Sequence, residues 1–121
     1  MTRLLLVDKS AYVRGAAADL DGELCLCAVS RLEMLFSARS TVDYESLEQD
    51  LASFRELRMD AETFATAEAA QRELARTARH RVPIADLLIA ACAQRHAADV
   101  VHVDRHFDLL SSVLRFDSIR L

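Results

Sequence analysis

Short apolar runs of the strand type recur along the chain, and polar residues follow each of them. Residues 3–7, "RLLLV", end in Asp-Lys-Ser, which is typical of a buried strand leading through a loop into a helix, here expected to be capped by Ser10. A second run, "ELCLCAV" at 23–29, follows the turn signal "DLDG". Residues 99–103, "DVVHV", predict another strand, and "RFDSIRL" at the C-terminal end predicts a last edge strand.

Helical periodicity fills the segments between these strands. Ser30 is predicted to start one helix, and Thr41 or Asp43 to cap the next. A longer amphipathic helix is predicted from about 61 to 79, and Pro83 opens a separate helix that is apolar almost all round. A short helix, "DRHFDLLSSV", precedes the edge strand. The helix after Ser30, the next helix and the helix at 61–79 are predicted to bury these apolar faces: Leu32, Leu35, Phe36, Leu47, Leu51, Phe54, Leu57, Phe64, Ala67, Leu74 and Ala78.

The alternation of strands and helices predicts a three-layer α/β/α sandwich around a central parallel sheet of about four or five strands. The 121 residues have the size of one domain, 1–121, and an apolar fraction of 52% with two glycines and one proline argues against disorder. No apolar stretch approaches the roughly 20 residues of a membrane span or resembles a signal peptide. Three cysteines, an odd number, fit reduced thiols, so we expect a cytoplasmic protein.

The charge pattern leaves two interpretations of the basic residues open. A net charge of −4 does not suggest a protein that coats nucleic acid electrostatically. The densest basic segment is "QRELARTARHR" at 71–81, in which Arg72, Arg76 and Arg79 recur at helical spacing. This segment is either a solvated helix face or a local basic groove.

Four carboxylates fall where a parallel sheet collects its chemistry, beyond the C-terminal ends of the strands. Asp8 and Asp104 directly follow predicted strands, and Glu33 and Asp86 lie in the first turns of helices. Each alone is explained as a helix cap or as a favourable charge on the helix dipole. Together they would repel one another, and Asp86 stands before the apolar run "LLIAACA", where an unpaired charge is costly.

A bound divalent cation removes this repulsion. Oxygen ligands without a convergent Cys/His set suit magnesium or manganese rather than zinc. Such a metal binds phosphate oxygens and activates water, which is the chemistry of a phosphodiester hydrolase.

Three stretches of the chain resemble the successive motifs of PIN-domain ribonucleases, specifically the VapC toxins of bacterial type II toxin–antitoxin modules. They are "LLLVDKSAY", "CAVSRLEMLFSARS" and "PIADLLIAACAQRHAADVVHVDRHFDLL", and the resemblance extends in this order over nearly the whole chain. The resemblance implies a PIN-like three-layer α/β/α fold and an endonuclease that cleaves structured RNA, such as transfer RNA or ribosomal RNA loops. It also implies Mg²⁺ as the cofactor, with Mn²⁺ able to substitute.

The resemblance also implies a role for each of the four acids. Asp8 and Asp86 are the principal metal ligands, and Ser10 supports the loop that carries Asp8. Glu33 ligates through water or orients it, and Asp104 closes the pocket or belongs to a second metal site. One supporting residue departs from the family pattern, since His106 stands where relatives often carry an acid.

The resemblance implies partners as well. VapC toxins dimerise and are inhibited by a VapB antitoxin whose C-terminal segment inserts near the active site. The helices at residues 43–79 are candidates for that groove, unless their apolar faces are all core. A second departure is the segment "AYVRGAAADLDG", which is shorter than usual for the family.

Three alternatives remain open at this point. A catalytically impaired PIN domain that only binds its antitoxin requires no more than that His106 breaks the site. A haloacid-dehalogenase-like phosphatase is disfavoured because it needs a second aspartate two residues after Asp8, where the chain has Ser10. A receiver-like phosphoacceptor is disfavoured because it needs a late lysine, and the only lysine is Lys9.

Overall fold

Five parallel strands form one sheet in the computed structural model, which describes residues 2–14 and 20–121. The strands lie in the order β3-β2-β1-β4-β5, with β1 in the centre. All four neighbouring pairs are parallel, so the C-terminal ends of the strands meet at one edge. In chain order the strands are β1 Leu4–Val7, β2 Glu23–Leu26, β3 Arg55–Glu56, β4 Asp99–His102 and β5 Ser118–Arg120.

Helices cover both faces of this sheet, as predicted. They are α1 Lys9–Arg14, α2 Ala28–Phe36, α3 Thr41–Leu51, α4 Ala61–Ala75, α5 Ile84–His96 and α6 His106–Leu110. Within the described residues, no helix is both long enough and apolar enough to cross a membrane. The segment "AYVRGAAADLDG", predicted to be shorter than usual for the family, lies partly outside the described residues.

The core has two parts because successive side chains of a strand point to opposite faces of the sheet. Leu6 of β1 and Val100 of β4 pack with α4, α5 and α6 in the larger cluster. Leu5, Val7 and Val101 pack on the other face with α1, α2 and α3. Helix α5 lies in the larger cluster, where its residues from Ile89 to Ala93 are fully buried, as its apolar sequence predicts.

Three predicted helix starts are wrong by one to three residues. Asp8, not Ser10, precedes α1 and accepts the helix-starting bonds from Ala11 and Tyr12 on its backbone oxygen. Helix α2 begins at Ala28, so Ser30 lies inside its first turn. There the hydroxyl of Ser30 accepts a hydrogen bond from the backbone N–H of Cys27 at 2.9 Å. Helix α3 is capped by the side chain of Ser40, which accepts from the Asp43 N–H at 3.0 Å.

Two predicted apolar faces are also only partly buried. In α2, Met34 and Leu35 are buried, whereas Leu32 is 63% and Phe36 is 86% exposed. In α4, Phe64 is exposed, and the buried face carries Thr63, Ala67, Ala70 and Leu74.

Two further boundaries differ from the prediction. Helix α4 stops at Ala75, and Ala78 lies in a left-handed turn with φ 57°, so it faces no core. Phe54 and Leu57 flank the two-residue strand β3 rather than continuing a helix. A strand made of one exposed Arg-Glu pair has no alternating apolar pattern by which to be recognised.

Candidate active site

Asp8 occupies the loop after the central strand, held between two neighbouring loops. Its backbone N–H donates to Val101 O at 2.9 Å, and its side chain is only 3% exposed. The Oδ2 atom accepts hydrogen bonds from the Ser10 N–H and Oγ–H, at 3.1 and 2.6 Å. Ser10 Oγ in turn accepts from the Val103 N–H at 3.0 Å, so this serine of α1 connects Asp8 to the loop after β4. The other carboxylate oxygen, Oδ1, is buried without a partner among the described residues.

Asp86 is buried in the first turn of α5, directly after Pro83 has set the start of the helix. Its side chain is 5% exposed, and Oδ2 makes no hydrogen bond within the part of the chain that is described. Burial, first of all, and the charges of Asp104 and Asp8 together raise the pKa of Asp86 to about 7. A cation at this position would stabilise the ionised carboxylate and so oppose this shift.

Asp104 and His106 come from the loop between β4 and α6. Asp104 Oδ1 accepts a hydrogen bond from the His106 N–H at 3.0 Å. Burial opposes ionisation of Asp104, but this bond and the contact with the His106 ring outweigh it, so the pKa of Asp104 is lowered. The ring Nδ1 lies 2.8 Å from Asp104 Oδ1 and 3.2 Å from Asp86 Oδ2. Neither contact has hydrogen-bond geometry, so His106 Nδ1 is close to both acids without being directed at either.

The four predicted acids form two overlapping donor sets. One set is Asp8, Glu33 and Asp86, and the other is Asp86, Asp104 and His106, each with donor atoms within 4.8 Å of one another. Asp86 belongs to both sets. Glu33 reaches the first set from the second turn of α2, not the first turn, because the helix begins earlier than predicted.

The donor chemistry of the first set fits a hard divalent cation. It consists only of carboxylate oxygens, and two of them, Asp8 Oδ1 and Asp86 Oδ2, are buried without hydrogen-bond partners among the described residues. The second set includes an imidazole nitrogen, which is a softer ligand than oxygen. The three cysteines are buried and free, and none belongs to a described group of potential metal ligands.

His102 is a residue of the site that the sequence prediction missed. It is fully buried at the end of β4, and its Nδ1 accepts a hydrogen bond from the Asp104 N–H at 3.1 Å. Its Nε2 contacts the hydroxyl of Ser118 on the edge strand, and its ring packs against Phe107 with centroids 5.0 Å apart. Burial lowers the pKa of His102, which favours the neutral ring that can accept at Nδ1. The available signal was a histidine inside the otherwise apolar run "VVHV".

Comparison with known proteins identifies the family. Residues 5–112 match the PIN domain. The chain is 39% identical to ribonuclease VapC17 of Mycobacterium tuberculosis over 116 residues, covering 89% of the chain and 87% of the relative. It is 40% identical to ribonuclease VapC18 of the same species over 103 residues, covering 83% and 75%.

Solved structures show the same fold. The VapBC-5 structure from M. tuberculosis matches with a TM-score of 0.80 at 23% identity, covering 98% of both chains. The VapBC2 structure from Rickettsia felis, bound to a DNA fragment from its promoter, matches with a TM-score of 0.79 at 12% identity and the same coverage. The chain therefore belongs to the PIN-domain family, in its VapC branch.

Proposed function

We propose that the chain is the toxic component of a type II toxin–antitoxin system, a magnesium-dependent endoribonuclease built on a single PIN domain, 1–121. Its substrate is structured RNA, such as transfer RNA or ribosomal RNA, and it acts in the cytoplasm. The observation that carries this proposal is Asp86, a buried carboxylate shared by two donor sets and left with an unpartnered oxygen. The ribonuclease names of the VapC relatives support RNA as the substrate.

Asp8 and Asp86 are proposed to hold Mg²⁺, with Mn²⁺ able to substitute. The bound ion would stabilise charge on the scissile phosphate and lower the pKa of a water molecule. Asp8 offers its free Oδ1, because Oδ2 is already occupied by Ser10. Ser10 therefore fixes which oxygen faces the ion.

The remaining residues orient the reactants. Glu33 is half-buried and, in the proposal, accepts a hydrogen bond from the attacking water and so aims it at the phosphorus. Asp104 closes the pocket on the side of α6. His106, a third exposed, lies between Asp86 and Asp104, where its ring is a proton donor or a phosphate contact.

A VapB-type antitoxin is proposed as the inhibitor, and a homodimer as the free state. The VapBC structures among the matches support the antitoxin. Large exposed apolar side chains lie on α2 and at the start of α3: Leu32, Phe36 and Val42, at 63%, 86% and 77% exposed. These positions extend the predicted groove of residues 43–79 toward α2, and a protein partner would bury them.

The test is to map the 5′ ends of cellular RNA after brief expression, with Asp8→Asn as the inactive variant and Asp99→Asn as a matched control. Wild type and Asp99→Asn should arrest growth and generate new 5′ ends, because Asp99 lies at the other edge of the sheet. Asp8→Asn should do neither, because it lacks the ligand at the end of β1. Growth arrest by Asp8→Asn at equal expression would contradict the metal-nuclease assignment.

A second candidate is a catalytically impaired PIN domain that acts only as an antitoxin-binding module. The specific observation in its favour is His106, whose Nδ1 lies 3.2 Å from Asp86 and 2.8 Å from Asp104, so that a cationic ring would offset part of their negative charge. In this case a protonated ring replaces the cation. The two candidates separate in a cleavage assay with purified protein and added Mg²⁺ or Mn²⁺, since the binding module stays inactive with either ion.

A further inference from the structure

A pocket with three arginines opens directly beside the candidate active site. Its volume is about 480 Å³, and one of its walls is His106, which belongs to the second donor set. The complete lining is Ala78, Arg79, Arg81, Val82, Arg105, His106 and Leu109. The pocket therefore joins the loop between α4 and α5 to the loop that carries Asp104.

Backbone hydrogen bonds hold two of these arginines, Arg79 and Arg105, at turns of the chain. After α4, the Arg79 N–H donates to Leu74 O at 2.9 Å and the Ala78 N–H donates to Ala75 O at 3.1 Å, a Schellman-type ending with Ala78 in the left-handed conformation. Arg105 is the residue directly before α6, and its carbonyl oxygen accepts from the Asp108 N–H at 3.1 Å. The backbone at Arg79 and at Arg105 is therefore fixed by turns on the two sides of the pocket.

The charges of the three arginines are not used inside the protein. Arg79, Arg81 and Arg105 are exposed, and none forms an ion pair with a carboxylate in the ranges 2–14 and 20–121. In contrast, Arg76 pairs with Glu73 at 3.3 Å on the neighbouring helix turn. Three such arginines around one pocket, in a chain of net charge −4, make a site suited to an anionic ligand.

We propose that this pocket, the arginine pocket, binds the sugar-phosphate backbone of the RNA strand next to the scissile phosphate. Arginine suits this task because its planar guanidinium group donates two parallel hydrogen bonds to one phosphate. Val82 and Leu109 add apolar surface on which a ribose or base packs. The inference rests on the proposed function, and it assigns to substrate binding a basic segment that the sequence left open.

RNA is favoured over an acidic peptide because of where the pocket leads. His106 is shared between the pocket and the second donor set, so a ligand in the pocket continues into the candidate reaction centre. An RNA strand whose scissile phosphate lies at the acids extends beyond them, and its neighbouring phosphates need positively charged partners. The arginine pocket supplies positive charge next to the carboxylates, on the side of His106.

The test measures RNA binding by chain variants that cannot cleave. The triple substitution Arg79→Gln, Arg81→Gln and Arg105→Gln is combined with Asp8→Asn, and Asp8→Asn alone is the parent. The probes are a short fluorescein-labelled single-stranded RNA of mixed sequence and a transfer RNA transcript, each titrated at several salt concentrations. The matched control is Arg72→Gln, which removes an exposed arginine of α4 that does not line the pocket.

The triple variant should raise the Kd at least about tenfold and reduce the slope of log Kd against log salt by about 2, since each phosphate contact on a single strand contributes about 0.7. Each single variant should lower the slope by about one third of this amount, which covers the case that the triple variant does not fold. Arg72→Gln should change neither quantity.

Three results would overturn the inference: no RNA binding by the parent, an unchanged Kd and slope in the pocket variants, or an equal effect of Arg72→Gln. Weakened antitoxin binding with intact RNA binding would instead assign the pocket to an acidic peptide and overturn the inference as well. The proposed function fails on a different result, namely RNA cleavage by Asp8→Asn.

Discussion

Acidic residues stand at both edges of the parallel sheet, but their partners differ. At the N-terminal edge, Asp99 of β4 is paired with Arg3, and Glu23 of β2 is paired with Arg55 at 3.0 Å. At the C-terminal edge, Asp8 and Asp86 meet no arginine within the described residues, and each keeps a buried oxygen without a partner. Asp99 and Glu23 are paired by the chain itself, whereas Asp8 and Asp86 have no such partner among the described residues, as the proposed cation site requires.

The electrostatic consequence is that the C-terminal edge carries unfavourable energy in the free protein. Burial and neighbouring carboxylates raise the pKa of Asp86, so its ionised form is destabilised. The same arrangement prepares a site for a divalent cation, which is bound most strongly where the free protein repels itself. Stability at this edge is given up for binding, as is common at functional sites.

The largest expected effect is on RNA cleavage, which should depend on the acids of the C-terminal edge and not on those of the N-terminal edge. Asp86→Asn should lower RNA cleavage by more than about 100-fold, because it removes a ligand common to both donor sets. Asp99→Asn should leave the cleavage rate within about twofold, because it only breaks a pair with Arg3 at the opposite edge. The measurement is the cleavage rate of one RNA substrate at saturating Mg²⁺. A strong loss in Asp99→Asn, with the fold intact, would mean that the two edges are not independent.

The second effect is on stability, and its sign depends on pH. The raised pKa of Asp86 means that, between about pH 4 and 7, the native carboxyl keeps a proton that the unfolded chain has released. The native state then binds more protons, so stability falls as the pH rises through this window. Without metal, Asp86→Asn should therefore raise the melting temperature by about 5 °C at pH 8, and by much less at pH 4.

Thermal unfolding in the presence of a chelator, at pH 4, 6 and 8, measures this dependence. Asp99→Asn should lower the melting temperature at pH 6 and 8, since it removes the partner of Arg3. If Asp86→Asn destabilised the chain at pH 8, Asp86 would already be satisfied in the free protein, and the contrast between the edges would disappear.

The smallest of these effects concerns His106, the only basic side chain in the donor sets. His106→Ala should lower cleavage by about tenfold, less than Asp104→Asn, because its Nδ1 approaches both acids without hydrogen-bond geometry. The rate and the half-saturating concentrations of Mg²⁺ and Mn²⁺ are measured for both variants. A loss as large as that of Asp104→Asn, with weakened Mn²⁺ binding, would show that the histidine is itself a ligand.

Local signals in the sequence were sufficient to predict strands β1, β2, β4 and β5 and to place the acids near the ends of strands. The apolar runs before Asp8 and Asp104 predicted strands β1 and β4, because an apolar run of four or five residues bounded by polar residues is typical of a buried strand. Pro83 gave the start of α5, and the parallel topology then brought Asp8, Glu33 and Asp86 together.

Features that depend on tertiary packing were not predictable in this way. Phe36 shares the helical period of Leu35, yet only Leu35 is covered by the sheet. Strand β3 exists because Leu26 O accepts a hydrogen bond from the Leu57 N–H at 2.7 Å, a long-range contact with no local signature. The arginine pocket likewise requires that Arg105 meet a loop more than 20 residues earlier in the chain, at Arg79 and Arg81.

The bond from the Asp104 N–H to His102 has a genetic consequence. His102 contacts Ser118, and its carbonyl oxygen accepts from the Leu121 N–H at 2.9 Å, so the last strand supports the residue that holds the Asp104 loop. A premature stop codon just before Ser118 would leave every proposed acid in the gene. Among cells that survive expression of the toxin, truncations just before Ser118 should therefore occur as inactivating mutations, together with substitutions of Asp8 or Asp86.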